Sequence, residues 1–128
     1  MEEQQKKKHI LLADDDPATR RLFGGKLAAA GFEVLYAKDG NEVLEIAKRL
    51  QPELIVTDID MPNTDGIQAA HRLKADPQTK QIPIIFLTNA DLSVDAENAI
   101  KEMAGAEYMP KAIDLAEFIE RINRVIGK

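Results

Sequence analysis

Short apolar runs alternate with stretches of helical periodicity five times along the chain. The runs occupy residues 10–13, 32–37, 54–56, 82–87 and 107–110. Unbroken apolar runs, such as residues 10–13 and 54–56, are typical of strands that are buried on both faces of a parallel sheet. After each run, apolar residues recur at the spacing of one helix face. The pattern predicts an α/β fold with five parallel strands and helices on both faces of the sheet.

Capping and breaking residues set the predicted ends of the helices. Asp16 is placed to cap a first helix that begins at Pro17 and ends at Gly31. A second helix covers residues 42–50, and Asp114 is placed to cap the last helix. The helical side chains that the spacing predicts to be buried are Leu22, Phe23, Leu27, Ala30, Val43, Leu44, Ala47, Leu50, Ile67, Ala70, Leu73, Leu115, Phe118, Ile119, Ile122, Val125 and Ile126.

Two of the predicted strands carry features of sheet edges. Residues 33–36 alternate between polar and apolar, unlike the other runs. Pro110 lies in the last run and has no N–H group to donate to a neighbouring strand. We therefore expect the second and fifth strands at the two edges of the sheet.

Composition limits the classes of function. A length of 128 residues fits one domain, which we place at residues 9–128 after a flexible tail at residues 1–8. The net charge of −5 argues against nucleic acids and anionic membranes as partners. The chain has no cysteine, which excludes disulfides and thiolate catalysis. It also has no apolar run long enough to span a membrane and no signal-peptide pattern, so we expect a cytoplasmic protein. Because the sequence stops after the fifth predicted helix, we expect a stand-alone regulator or an excised domain, without an output domain.

Residues with ionisable or hydroxyl side chains stand where four of the five predicted strands end. Asp14 and Asp15 follow the first strand, Asp58 the third, Thr88 the fourth and Lys111 the fifth. In a parallel sheet these ends lie on one rim, where ligands bind in open α/β folds. Each residue alone also fits a structural role in a turn or on the surface. Their joint occurrence at the strand ends indicates a functional site.

Three carboxylates at one rim need a counter-charge. Two carboxylates about 4 Å apart repel each other by roughly 4 kcal/mol at an effective dielectric constant of about 20. Mg²⁺ relieves such repulsion, because it binds one or two carboxylates together with water and a phosphate oxygen. Lys111 would add a positive charge, and Thr88 a hydroxyl group for the phosphoryl oxygens. This set suits phosphoryl transfer to an aspartate, which gives an acyl phosphate.

Four segments of the chain carry a family resemblance. They are Leu12-Ala13-Asp14-Asp15, Asp58-Ile59-Asp60-Met61-Pro62-Asn63-Thr64-Asp65-Gly66, Leu87-Thr88 and Tyr108-Met109-Pro110-Lys111. On these residues the chain closely resembles, over residues 8–127, the receiver domain of two-component response regulators, the CheY-like family. The resemblance implies a flavodoxin-like (βα)5 doubly wound sandwich, with a five-stranded parallel sheet in the order 2-1-3-4-5. It also implies a phosphoacceptor domain in a His-to-Asp phosphorelay.

The resemblance implies a role for each acidic residue. Asp58 would accept the phosphoryl group from a sensor histidine kinase or a histidine phosphotransfer protein. Asp15, Asp58 and the backbone carbonyl of Asp60 would bind Mg²⁺, and Asp14 would act on the metal through water. The protein would then be a signalling phosphoacceptor rather than an enzyme, with only self-catalysed phosphotransfer and slow autodephosphorylation.

A conformational switch is implied as well. Thr88 and Lys111 would hold the phosphoryl group, and Tyr108 would rotate inward as Thr88 is drawn towards that group. The movement would reshape the surface of helix 4, strand 5 and helix 5. Through this surface the domain would control a downstream effector, and it would allow a homodimer that forms on phosphorylation.

Three residues depart from the family pattern. Ala112 stands where a proline in a cis peptide bond usually follows the lysine, and a cis bond to alanine would cost about 3 kcal/mol. We therefore expect the loop at residues 111–112 to be either trans and displaced or strained. Asn89 stands where a small residue is usual and is expected to narrow the phosphate entrance. Asp60 is less neutral than many counterparts and is expected to alter dephosphorylation, but no departure removes a reactive group.

Three alternative functions fit parts of the sequence. Asp58-Ile59-Asp60 imitates the Asp-x-Asp nucleophile motif of haloacid-dehalogenase-like phosphohydrolases, but the chain is too short for their usual cap and later acidic motif. A degenerate receiver that acts only as a protein-binding module is disfavoured by the complete acidic set. A flavin-binding flavodoxin is disfavoured because the carboxylates would repel the cofactor phosphate.

Overall fold

The computed structural model describes residues 7–61, 65–89 and 92–127. Most of the predicted tail, and residues 62–64 of the acidic motif, lie outside the described residues. The described residues form strands and helices in alternation, as the sequence pattern predicts. The elements are β1 (His9–Ala13), α1 (Pro17–Ala29), β2 (Glu33–Ala37), α2 (Gly40–Leu50), β3 (Leu54–Asp58), α3 (Gly66–Ala75), β4 (Ile84–Thr88), α4 (Val94–Lys101), β5 (Ala106–Pro110) and α5 (Leu115–Ile126).

The strands form one parallel sheet in the order β2-β1-β3-β4-β5. This order confirms the predicted flavodoxin-like α/β fold, with β2 and β5 at the edges. In the register, Ala13 of β1 pairs with Thr57 of β3, and Thr88 of β4 pairs with Pro110 of β5. The carboxyl ends of β1, β3, β4 and β5 therefore lie along one rim of the sheet.

Helices cover both faces of the sheet, because successive side chains of each strand point to opposite sides. On one face, strand residues such as Leu11 and Phe86 pack with residues of α2, α3 and α4. On the other face, Val56 and its neighbours pack with residues of α1 and α5. There the rings of Phe23 and Phe118 meet edge to face, with their centroids 4.9 Å apart. The sheet is thus packed between two apolar cores, which hold the strand ends in place.

The predicted caps of the first and last helices are confirmed. The Asp16 carboxylate accepts a hydrogen bond from the Ala18 N–H at 3.3 Å. Asp114 accepts hydrogen bonds from two backbone N–H groups in the first turn of α5. The second helix begins earlier than predicted, at Gly40, because Asp39 caps it.

Two predictions of burial are wrong. Leu22 is 54% exposed and Leu50 is 45% exposed. The buried face of α1 includes Phe23 and Leu27, and Leu22 lies about 100° around the helix from Phe23. In α2, Ala47 is the last buried residue, and Leu50 lies in the final turn beyond it. Apolar spacing alone does not distinguish these residues from true core positions.

Candidate functional site

The strand ends bring the predicted site residues to the common rim. Asp58 is the last residue of β3, and Asp14 directly follows β1, the neighbouring strand. Thr88 ends β4, and Lys111 directly follows β5. The Lys111 N–H donates a hydrogen bond to the Thr88 carbonyl oxygen at 2.8 Å, which holds these two strand ends together.

Asp14, Asp15 and Asp58 form an acidic cluster. One carboxylate oxygen from each residue lies within 4.8 Å of those from the other two. Asp14 is fully buried and Asp58 is 6% exposed, whereas Asp15 is exposed. The cluster is therefore enclosed by protein at Asp14 and open to solvent at Asp15.

Lys111 places a positive charge next to the two buried carboxylates. Its ammonium donates a hydrogen bond to Asp58 Oδ2 at 3.1 Å and lies 2.8 Å from Asp14 Oδ2. Both contacts are ion pairs, so the ammonium lies between the two carboxylates. Burial acts to lower the pKa of Lys111, but the two carboxylates outweigh it and the pKa is raised above its ordinary value. Lys111 is therefore charged at neutral pH.

The pKa of Asp58 is raised above its ordinary value. Burial is the largest cause, and the negative charge of Asp14 adds to it. Lys111 acts in the opposite direction, as does the Asp60 N–H, which donates to Asp58 Oδ1 at 3.2 Å, but they do not cancel the effect. A raised pKa means that ionised Asp58 destabilises the folded state. A cation bound next to Asp58 would offset that cost.

Asp14 is held by contacts that the sequence did not predict. Its Oδ1 accepts a hydrogen bond from the Asp16 N–H at 2.9 Å, and its carbonyl oxygen accepts one from Arg20 Nη1 at 2.6 Å. The Asp16 carboxylate accepts a hydrogen bond from the Thr19 hydroxyl, and this hydrogen bond lowers the pKa of Asp16. No sequence signal marks Arg20, because its contact depends on how the chain turns from β1 into α1.

Gly66 packs against the backbone that presents Asp58. A Cβ atom at this position would stand 2.3 Å from the Asp58 carbonyl oxygen and 3.1 Å from Ile59 Cα. The Gly66 N–H also donates to the Ile59 carbonyl oxygen at 2.7 Å. The sequence predicts Gly66 as a helix start but gives no sign that the start of α3 fixes the end of β3.

Gly66→Ala is expected to lower the free energy of unfolding by about 2 kcal/mol, because the added methyl group must displace the Asp58 backbone. Urea unfolding measures the change. Gly25→Ala in α1 is the matched control, since a Cβ atom there meets nothing within 4 Å, and it should be neutral or stabilising. Equal stabilities of the two variants would contradict the close contact.

Tyr108, the predicted switch residue, lies in β5 and forms a hydrogen bond with a residue of α4. Its hydroxyl donates a hydrogen bond to Glu97 Oε2 at 2.6 Å. That hydrogen bond is the largest cause of the raised pKa of Tyr108. Glu97 lies in the first turn of α4, and no motif in the sequence marks it as a partner of the tyrosine.

The loop after Lys111 adopts the trans alternative of the prediction. No peptide bond in the described ranges is cis, so the bond before Ala112 is trans. The Ile113 N–H donates to the Pro110 carbonyl oxygen at 3.1 Å and closes a turn. Alanine in place of proline therefore leaves Lys111 in contact with both buried carboxylates.

The acidic cluster has the donor set of a hard divalent cation site. Its carboxylate oxygens lie close enough together to contact one ion, and the exposed Asp15 leaves one side of the cluster open to solvent. Three carboxylates against one lysine also leave an excess of negative charge. Oxygen ligands with an open side for water are what Mg²⁺ requires, so these residues fit that ion.

Sequence comparison decides the family. The family model of the response regulator receiver domain matches residues 10–123, which include every residue of the candidate site. The chain belongs to the response regulator receiver family. A curated relative of this receiver domain, the polar-differentiation response regulator DivK of Brucella anthropi, is 32% identical over 107 residues. The match covers 84% of this chain and 86% of the relative.

Solved structures share the fold of this receiver domain. The receiver domain of a sensor histidine kinase from Pseudomonas aeruginosa, with a magnesium ion coordinated in its active-site cleft, has a TM-score of 0.86 and 28% identity, over 96% of this chain and 100% of that one. The chemotaxis response regulator CheY4 of Vibrio cholerae has a TM-score of 0.84 and 25% identity, over 94% and 99% of the two chains.

Family membership confirms the predicted function in two-component signalling. The protein is a receiver domain of a response regulator, and receiver domains of this kind interact with histidine kinases and downstream effectors. The family assignment therefore favours the receiver over the phosphohydrolase alternative. Across the described residues, no helix combines the length and the apolar character needed to cross a membrane.

Proposed function

We propose that Asp58 accepts the phosphoryl group, from a phosphohistidine of a sensor histidine kinase or a histidine phosphotransfer protein. The observation that carries this proposal is the position of the Asp58 carboxylate at the end of β3, beside Asp14 and hydrogen-bonded to Lys111. Asp14 is fully enclosed by protein, whereas Asp58 keeps some exposure. Of the two carboxylates next to the lysine, Asp58 is therefore the one that an incoming phosphorus can reach.

In the proposed transfer, a carboxylate oxygen of Asp58 attacks the phosphorus while the phosphorus–nitrogen bond of the phosphohistidine breaks. The electron pair of that bond returns to the imidazole nitrogen, and Asp58 becomes an acyl phosphate. Lys111 neutralises negative charge on the phosphoryl oxygens, and the Thr88 hydroxyl donates a hydrogen bond to one of them. The protein is in this sense a signalling phosphoacceptor that catalyses only its own phosphorylation and a slow hydrolysis of the product.

The acidic cluster is proposed to hold Mg²⁺. Asp15, Asp58 and the backbone carbonyl of Asp60 are the proposed direct ligands, and Asp14 acts through water. The burial supports this division, because Asp15 is exposed to solvent whereas Asp14 is enclosed by protein. When bound, the ion supplies positive charge to the phosphoryl oxygens.

Intact-mass spectrometry tests the phosphoacceptor function. The full chain is incubated with phosphoramidate and MgCl₂, and we expect a mass increase of one phosphoryl group per chain. Replacement of MgCl₂ by EDTA should abolish the increase. An unmodified mass in MgCl₂ would overturn the proposal and favour the degenerate receiver that only binds proteins.

The proposal also makes Tyr108 the switch that reports phosphorylation. Thr88 is drawn towards the phosphoryl group, and Tyr108 turns inward and leaves Glu97, its partner in the described structure. This movement changes the surface of α4, β5 and α5, which we propose as the contact for a downstream effector and for a phosphorylation-dependent homodimer. We propose that the protein is located in the cytoplasm, where it meets its kinase.

Glu97→Ala is expected to favour the inward position of Tyr108, because it removes the acceptor that holds the hydroxyl at α4. Tyr36→Phe leaves Tyr108 as the sole tyrosine, so tyrosine fluorescence can follow its response to Mg²⁺ and the phosphoryl analogue beryllofluoride. In this background Glu97→Ala should lower the midpoint of the beryllofluoride titration by about threefold. Asp95→Ala, which removes another acid from the first turn of α4, is the control. The same midpoint in both variants would count against the proposed role of Glu97.

A further inference from the structure

A groove lies between α3 and α4, near the amino-terminal ends of the strands. It has a volume of about 560 Å³, which is within the range of small-molecule sites. Its apolar wall consists of Ala99, Met103 and Ala104, and its polar side includes Lys74 and Lys80. The groove is distinct from the acidic cluster, which lies at the opposite ends of the strands.

Lys74 is a half-buried cation in the lining of this groove. Its ammonium donates hydrogen bonds to the carbonyl oxygens of Lys80 at 3.0 Å and Ile82 at 2.8 Å. In the described part of the chain it has no carboxylate within 4.0 Å, and burial lowers its pKa. An ammonium has three donors, so Lys74 can still bind an acceptor that carries the missing negative charge.

The charges around the groove favour an anion. Two lysines face one acid, Glu102, although the chain as a whole has a net charge of −5. Glu102 forms no ion pair with Lys74 or Lys80 among the described contacts. A bare inorganic anion would leave the wall of Ala99 and Met103 without an apolar partner. The groove therefore suits a ligand that has both an acidic group and an apolar body.

We propose that the α3–α4 groove is a binding site for a small organic carboxylate. The carboxylate contacts Lys74 and Lys80, and the apolar body packs against Met103 and the alanines of α4 and the turn after it. This site is independent of the phosphoacceptor function, because it shares no residue with the acidic cluster or with its lysine.

Amide NMR titration of the full chain tests the proposal, with 4-phenylbutyrate as the probe and 4-phenylbutanamide as its uncharged counterpart. Saturable shifts are expected at residues that line the groove, and the carboxylate should bind about fivefold more tightly than the amide. Lys80→Gln should weaken binding of the carboxylate about threefold. Lys101→Gln is the matched control, because this exposed lysine of α4 does not line the groove, and it should bind as the unmodified chain does.

Ala104→Phe tests the position of the apolar body without removing a charge. The larger side chain should obstruct the groove and weaken binding of both probes. Shifts that fail to saturate, equal affinities for the carboxylate and the amide, or undiminished binding by Ala104→Phe would each overturn the proposal. A folded amide spectrum for every variant shows that a loss of binding is not a loss of fold.

Discussion

Asp58→Asn is expected to abolish phosphorylation and at the same time to stabilise the metal-free protein. The loss of phosphorylation should be complete, because an amide is not a nucleophile towards phosphorus. The gain in stability should be about 1 kcal/mol, since the neutral amide ends the repulsion from Asp14 and removes a charge that burial disfavours. Replacement of a residue that served only the fold would instead lower the stability of the protein. The two opposite effects together are the signature of an acid retained for function.

Intact mass after treatment with phosphoramidate and MgCl₂ measures the first effect of Asp58→Asn, and urea unfolding in EDTA at low ionic strength measures the second. Asp95→Asn makes the same change at an exposed residue of α4, outside the acidic cluster. This control should keep phosphorylation and change stability by less than about 0.5 kcal/mol. MgCl₂ should stabilise the unmodified chain more than Asp58→Asn. Phosphorylation of Asp58→Asn, or its destabilisation in EDTA, would contradict the account.

Lys111→Met is expected to lower the free energy of unfolding by about 3 kcal/mol at neutral pH in EDTA. Methionine fills much of the same space but removes the ammonium that contacts Asp14 and Asp58. Both carboxylates are nearly buried, so water compensates little of the lost attraction. The same variant should be phosphorylated far more slowly, because it lacks the ammonium that is proposed to neutralise the phosphoryl oxygens.

Two further variants isolate the cause of that instability. Lys101→Met removes an exposed lysine of α4 and should be close to neutral in urea unfolding. Lys111→Met combined with Asp58→Asn should recover part of the lost stability, because only one buried carboxylate is then left without its cation. If Lys111→Met alone is as stable as the unmodified chain, the buried carboxylates do not depend on the lysine.

The sequence predicted the strands and the common rim of the site residues because both depend on short, local signals. The apolar runs of the buried strands leave little choice of structure, and a parallel sheet brings Asp14, Asp58 and Lys111 to one rim whatever the details of the loops. The sequence identified the buried faces of the helices less accurately. Leu22 continues an apolar spacing yet is exposed, because the sequence shows how apolar residues are spaced but not how far the opposing sheet extends.

The supporting contacts of the site were beyond prediction because they join distant or oddly spaced residues. Arg20 reaches the Asp14 carbonyl across a turn, and Glu97 meets Tyr108 only because α4 lies beside β5. Gly66 reads as the start of a helix, while its lack of a side chain is required by the backbone of Asp58. Such contacts need coordinates, since no periodicity or capping rule refers to them.

The most direct test of the account is to locate the phosphoryl group on the chain. Borohydride reduces an aspartyl phosphate to homoserine, and peptide mass spectrometry then identifies the reduced residue. After treatment with phosphoramidate and MgCl₂, we expect homoserine in place of Asp58 and unchanged aspartate at Asp14, Asp15 and Asp60. Homoserine at any of those three positions, with Asp58 intact, would contradict it.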